Sequence, residues 1–108
     1  MKRGEVWTLR DEAYASKARP AVVIQGDEMT GFDSVILCLV TTYDSSGIPT
    51  RVPVKPDEDN GLEKQSYVMT EKIVTVNEKL LGRCIGKLDE NAMKAVSCQL
   101  VAVLGLNQ

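Results

Sequence analysis

RPAVVIQGDEMTGFDSVILCLVTT, residues 19–42, contains two apolar runs, PAVVIQ and SVILCLVTT, separated by a polar segment with two glycines. Each run is apolar on both faces of an extended chain, which suits a central strand or one that also meets a partner. The segment between them, GDEMTGFD, turns into the second run. Their reading decides the fold, because a sheet built around strands of this kind must be covered on both sides.

Outward from this centre the pattern stays mostly strand. GEVWTLR (4–10) alternates Val6, Thr8 and Arg10 against Glu5, Trp7 and Leu9, and is followed by the small, polar loop DEAYASKA (11–18). YDSSGIP (43–49) is a loop punctuated by Ser, Gly and Pro. TRVPVKP (50–56) is a strand that its prolines confine to an edge or a bulge, and DEDNG (57–61) is a turn with the Asn-Gly signal. SYVMTEKIVTV (66–76) is a long β-branched strand, NEKLLG (77–82) a short turn of helix, and RCIGKL (83–88) a further strand. Asp89 is placed to cap a helix over ENAMKAVSCQLVAVLG (90–105), with Glu90 in its first turn and Gly105 at its C-terminal end. Met93, Val96, Leu100 and Val103 or Leu104 form one apolar stripe at helical spacing.

These elements predict one domain over residues 1–108, mainly β with a C-terminal helix. It is a small SH3-like barrel, a strongly bent antiparallel sheet covered by that helix. A helix of about 15 residues cannot cover both sides of such a sheet, so the doubly apolar strands predict a homodimer.

Composition narrows the chemistry. The 108 residues are 44% hydrophobic and 26% charged, enough for a core without a staple. Cys38, Cys84 and Cys98 are odd in number and lack a CxxC spacing, and they read as small core hydrophobes in a reducing compartment. No apolar stretch approaches a membrane span or a secretory h-region, which predicts a soluble cytoplasmic chain with no membrane partner. The chain has no histidine, which removes the commonest general acid/base and the commonest zinc ligand. No metal or cofactor is expected. The net charge of -2 is unevenly spread, with basic ends and an acidic middle, so a polyanion must be met by a local patch.

Arg19 stands immediately before Pro20, which disfavours helical backbone for the residue ahead of it and so aims the arginine from an extended strand mouth. Two uses fit such a residue. It can snorkel over the sheet edge or pair with a nearby carboxylate, or it can present its planar fork to a phosphate.

RGEVW (3–7), RPAVVIQGD (19–27), VTT (40–42), GL (61–62) followed by SYV (66–68), EKIVTV (71–76) and the closing helical segment, in that order, resemble the MazF/PemK toxins of toxin–antitoxin modules. The resemblance spans nearly the whole chain. It implies a homodimeric SH3-like barrel acting as a metal-independent, sequence-specific endoribonuclease, held inactive by a cognate MazE-like antitoxin. Arg19 matches the arginine of the family's RP motif and Thr41 the threonine after its third strand, which together are the implied catalytic pair. Thr42 is adjacent, and only one of two neighbouring strand residues can face the site.

Further candidate RNA contacts are Tyr14, Ser16 and Lys17, which the first loop itself offers to a base or a phosphate, Tyr43, Ser45 and Ser46 in the loop after Thr41, with Thr42 beside it, and Lys72, where some relatives carry glutamine. Lys17, Arg19 and Lys72 would also meet an acidic or amphipathic antitoxin tail. The implied chemistry suits a chain without histidine, because RNA supplies its own 2′-hydroxyl nucleophile and the enzyme need only align it and stabilise developing charge. A guanidinium, with a pKa above about 12, is a poor base. The first loop is shorter than in many relatives and lacks their Gly-x-Glu element, which leaves the general base unassigned. Two other classes stay open: a CcdB-like toxin that binds DNA gyrase and cuts nothing, and a non-catalytic SH3-like interaction module.

Overall fold

A computed structural model describes residues 1–10 and 18–108 of the chain. Six strands, β1 (Glu5–Leu9), β2 (Arg19–Val23), β3 (Ser34–Thr41), β4 (Arg51–Val54), β5 (Ser66–Asn77) and β6 (Leu81–Lys87), precede one helix, α1 (Glu90–Leu104). A single 3-10 turn, Glu78–Leu80, joins β5 to β6, shorter than the helical turn expected over 77–82 because β5 continues to Asn77. The strands form one antiparallel sheet in the order β4-β5-β3-β2-β1-β6. As their patterning requires, β2 and β3 are interior.

The sheet is strongly bent. Its registers slip between Cys38 and Val40 on β3, and on β1 on either side of Trp7, the irregularities that let a sheet curl over its own face. Two cores result. On one side Val6, Val22, Cys38, Val40, Val52, Val54 and Val68 pack under Val96 and Leu100 of the helix. On the other Leu9, Ala21, Val23, Val35, Leu37, Val74 and Val76 pack together, with Trp7, Leu39, Leu80 and Leu81 around them. Leu37 and Ala21 are fully buried within the single chain. The doubly apolar strands therefore do not by themselves require a second copy, because curvature buries what the helix leaves uncovered.

The edges follow from sequence. Thr70 N–H donates to the Thr50 carbonyl at 3.3 Å, so in the alternating ladder residues 52 and 54 bond β5 while Pro53 faces outward, where its missing N–H costs nothing. Edge strands β4 and β6 do not pair with each other, and the loop between β4 and β5 spans the gap. Asn60, buried, accepts from Asp57 and Leu62 N–H at 3.1 and 3.0 Å and donates to the Lys55 carbonyl at 2.9 Å. The Asp59 carbonyl accepts from Lys87 N–H at 2.8 Å. Gly61, at φ +70°, lies so close to Ile85 that any Cβ would run into its carbonyl. The Asn-Gly pair turns the chain, as expected, and also seals the sheet's open side.

The helix is capped as its sequence predicts. Asp89 accepts from Ala92 N–H at 2.8 Å and Gly105 closes the end in the left-handed region. The apolar stripe is used only at its N-terminal end, for Val96 and Leu100 are buried and Met93 packs beside them, while Val103 and Leu104 are exposed, together with Val101 and Leu106. The cysteine reading needs a larger correction. Cys38 is buried, and that burial pushes its thiol up to about 12, but Cys84 and Cys98 are exposed. Cys84 lies on edge strand β6 and Cys98 on the helix beyond its buried stripe, so neither is a core residue. No helix among the described residues is long and apolar enough to cross a membrane.

Candidate active site

Strand pairing assembles the site. Arg19 lies opposite Leu9 of β1, and the β2–β3 register, which pairs Ala21 with Leu39, runs on two residues to bring Arg19 across from Thr41. Thr41 lies opposite Tyr67 of β5, and Met69, two residues further, lies opposite Arg51 of β4. Alternation along each strand therefore puts Leu9, Arg19, Leu39, Thr41, Tyr67, Met69 and Arg51 on one face. Leu9, Arg19, Pro20, Leu39, Val40, Thr41 and Met69 line a shallow pocket of about 80 Å³ there. A guanidinium and a hydroxyl thus share an apolar-floored depression at the sheet surface. Such a pair can donate several hydrogen bonds to a tetrahedral anion.

The two threonines separate. Thr41 is half-buried in the pocket, and its Oγ1 accepts from Tyr43 N–H at 3.1 Å. Thr42 is exposed and outside the pocket lining, as the two-residue period of a strand dictates for its neighbour. Tyr43 is 69% exposed just beyond, and its ring is free to stack. Ser45, expected as a base contact, is 1% exposed: its hydroxyl donates to the Tyr43 carbonyl at 2.8 Å and accepts from Arg51 Nη1 at 3.1 Å. It braces the loop from beneath. Lys72 is exposed on β5, next to Glu71. Tyr14, Ser16 and Lys17 lie outside the described residues.

Sequence reading did not single out the polar network beside the pocket. Arg51 clamps Glu71 Oε2 with Nε and Nη2 at 2.9 and 2.8 Å, and Thr50 Oγ1 donates to Oε1 at 2.9 Å. Among the described residues this is the one ion pair, and Arg19 takes no part in it. Partial burial pushes Glu71 upward, but the hydrogen bonds from Arg51, its own backbone and Thr50 outweigh it and hold the carboxyl below its ordinary value. Tyr67 O–H donates to Asp44 Oδ1 at 3.1 Å, which also accepts from Ser46 N–H at 3.1 Å. These bonds, the Ser46 N–H first, lower Asp44, while burial and the Asp44 charge raise the Tyr67 phenol. The signal for this network in sequence is faint, since the bonds Arg51–Glu71, Thr50–Glu71 and Tyr67–Asp44 each join residues 20 or more positions apart, which only the pairing of β5 with β4 and β3 brings together. Among the described residues no group of three or more carboxylates and thiols converges as a metal site would.

Residues 2–104 match the family described as PemK-like, MazF-like toxin of type II toxin-antitoxin system. Over 98% of both chains the sequence is 32% identical to a probable endoribonuclease MazF of Mycolicibacterium smegmatis. The fold superposes at a TM-score of 0.83 and 26% identity on a mycobacterial endoribonuclease solved in complex with its cognate antitoxin, covering 98% of this chain and 96% of that one. It superposes at 0.80 on MazF from the MazE-MazF complex of Deinococcus radiodurans, covering 97% and 95%, where 18% identity speaks for the fold alone.

Proposed function

The chain belongs to the PemK-like, MazF-like toxin family of type II toxin–antitoxin systems, and on that premise we propose that it is an endoribonuclease toxin that cuts single-stranded RNA without a metal ion. The observation that carries this reading is the shared pocket of Arg19 and Thr41, one polar corner able to hold a phosphate against an otherwise apolar wall. In the reaction the 2′-hydroxyl oxygen of the substrate attacks the adjacent phosphorus, the bond from phosphorus to the 5′-oxygen breaks, and the ends are a 2′,3′-cyclic phosphate and a 5′-hydroxyl. The proton of the 2′-hydroxyl passes to a base not yet assigned, and the leaving oxygen takes one up. Arg19 offsets the charge that builds on the phosphoryl oxygens, and the Thr41 hydroxyl donates to one of them. DNA lacks the nucleophile. Tyr43 stacks on a base and Lys72 meets the backbone, with Ser16, Lys17 and Thr42 as further contacts.

The active form is a homodimer in the cytoplasm. Support for the dimer lies in the exposed apolar residues at the helix end, Val101, Val103, Leu104 and Leu106, and not in the sheet. An acidic antitoxin tail folding over Arg19 and Lys72 inhibits it by competing with RNA, and loss of that partner lets cleavage of mRNA stop translation and growth. The test is cleavage of a long RNA by purified protein in EDTA, with single-stranded DNA of the same sequence as control. Discrete RNA fragments and intact DNA are expected. Intact RNA with tight binding to gyrase or to a peptide instead would replace the nuclease with a binding module.

A further inference from the structure

Glu71 occupies Nε and Nη2 of Arg51, which leaves Nη1 to turn away and donate to Ser45 Oγ at 3.1 Å. The Ser45 hydroxyl donates to the Tyr43 carbonyl at 2.8 Å, and Tyr43 N–H donates to Thr41 Oγ1 at 3.1 Å. Two hydrogen-bonded segments, joined through the Tyr43 backbone, thus link the β4–β5 ion pair to the threonine of the pocket. The middle of this path is sheltered, for Ser45 is 1% exposed and the Arg51 side chain 16%, while the bonds to Glu71 and from Tyr43 N–H to Thr41 lie at the surface. Hydrogen bonds in such surroundings are stronger and more directional than in water.

The path has a direction. Because Thr41 Oγ1 already accepts from Tyr43, its own proton is left to donate outward, to whatever occupies the pocket beside Arg19. The same path fixes the backbone that carries the exposed Tyr43 ring. Tyr67, through Asp44, pins the next residue of the loop.

We propose that Arg51 is a positioning residue that, through Ser45 and the Tyr43 backbone, sets the Thr41 hydroxyl as a donor into the pocket and holds the Tyr43 ring at its rim. The proposal rests on the reading of Thr41 as a phosphate contact. Arg51 touches neither substrate nor reacting atoms, and its charge is already spent on Glu71. What it supplies is geometry, in which a small misplacement costs rate more than affinity.

Two substitutions cut the path at different points. Arg51→Lys keeps a cation beside Glu71 but has no fork with which to reach Ser45 as well. Ser45→Ala removes the middle hydroxyl and leaves the ion pair in place. In each, hydrogen exchange of the Tyr43 amide, read by NMR without RNA, should speed up about tenfold. Single-turnover cleavage at saturating enzyme should fall about tenfold, the dissociation constant for RNA should rise by less than that, and the double variant should be no slower than either single one. Folded variants with an unchanged Tyr43 amide, or rate losses that multiply in the double variant, would overturn the proposal. So would loss of RNA affinity without loss of rate. A Thr41→Ala protein cutting at full rate, with the Tyr43 amide of Arg51→Lys still deprotected, would locate the failure in the role given to Thr41 and not in the path.

Discussion

Arg19→Ala should lower the single-turnover rate of RNA cleavage by about 10² or more, since losing one charged contact to a transition state costs about 3 to 4 kcal/mol. The fold should survive. Arg19 is exposed at the first residue of β2, and neither core uses its side chain. Arg19→Lys should also be slow, because an ammonium keeps the charge but loses the planar pair of donors that matches two phosphoryl oxygens. Thr41→Ala should be slow and Thr42→Ala close to normal, since only Thr41 lines the pocket. Circular dichroism separates lost chemistry from lost structure. An Arg19→Ala protein that folds and cuts at the original rate would return this arginine to the role of an edge residue.

Leu37→Ala should destabilise the protein by about 3 kcal/mol, in the range measured for emptied leucine sites in well-packed interiors. Leu37 is fully buried, flanked by Val23 across β2 and Val74 across β5, and lies on the face that the helix does not touch. For a domain of this size the loss is a fall of roughly 15 °C in melting temperature. Because the burial is within one chain, the difference from wild type should be the same at low and high protein concentration in urea titrations. A loss below about 1 kcal/mol, or one that appears only at concentrations where the protein is dimeric, would mean that this face is covered by a partner and not by the bend of the sheet.

Such local features as the Asp89 cap, the Gly105 terminus and the alternation of Val6 against Trp7 were legible in sequence because each depends on residues a few positions apart. Pro53 marked its strand as an edge for the same reason, through a donor it does not have. The curvature was only partly legible: doubly apolar β2 and β3 imply cover on both sides, but whether a second copy or the sheet's own bend supplies it depends on register slips at Trp7 and Cys38. Packing of Gly61 on Ile85 and exposure of Cys84 and Cys98 are long-range outcomes of the same kind.

At the site, Pro20 announces an aimed arginine at position 19 but not its use, so the roles proposed for Arg19 and Thr41 both needed a resemblance, and a threonine at a strand end has no signature of its own. Ser45 was misjudged because a serine in a polar loop reads as solvent-facing, and only Arg51, brought over by β4, makes it a buried link. Glu71 and Arg51 look in sequence like ordinary surface charges. Their registry across β4 and β5 turns them into the support beneath the loop.

The central claim, that the substrate's own 2′-hydroxyl is the nucleophile, is tested most directly by an RNA carrying a single 2′-deoxy sugar immediately 5′ of the cut. It would be incubated with the protein in EDTA beside the all-ribose RNA, and the ends identified by mass spectrometry. The all-ribose RNA should give a 2′,3′-cyclic phosphate and a 5′-hydroxyl, and the substituted RNA should bind yet stay intact at that bond. Cleavage of the 2′-deoxy substrate at the same position, or a 3′-hydroxyl with a 5′-phosphate from the all-ribose RNA, would contradict the account.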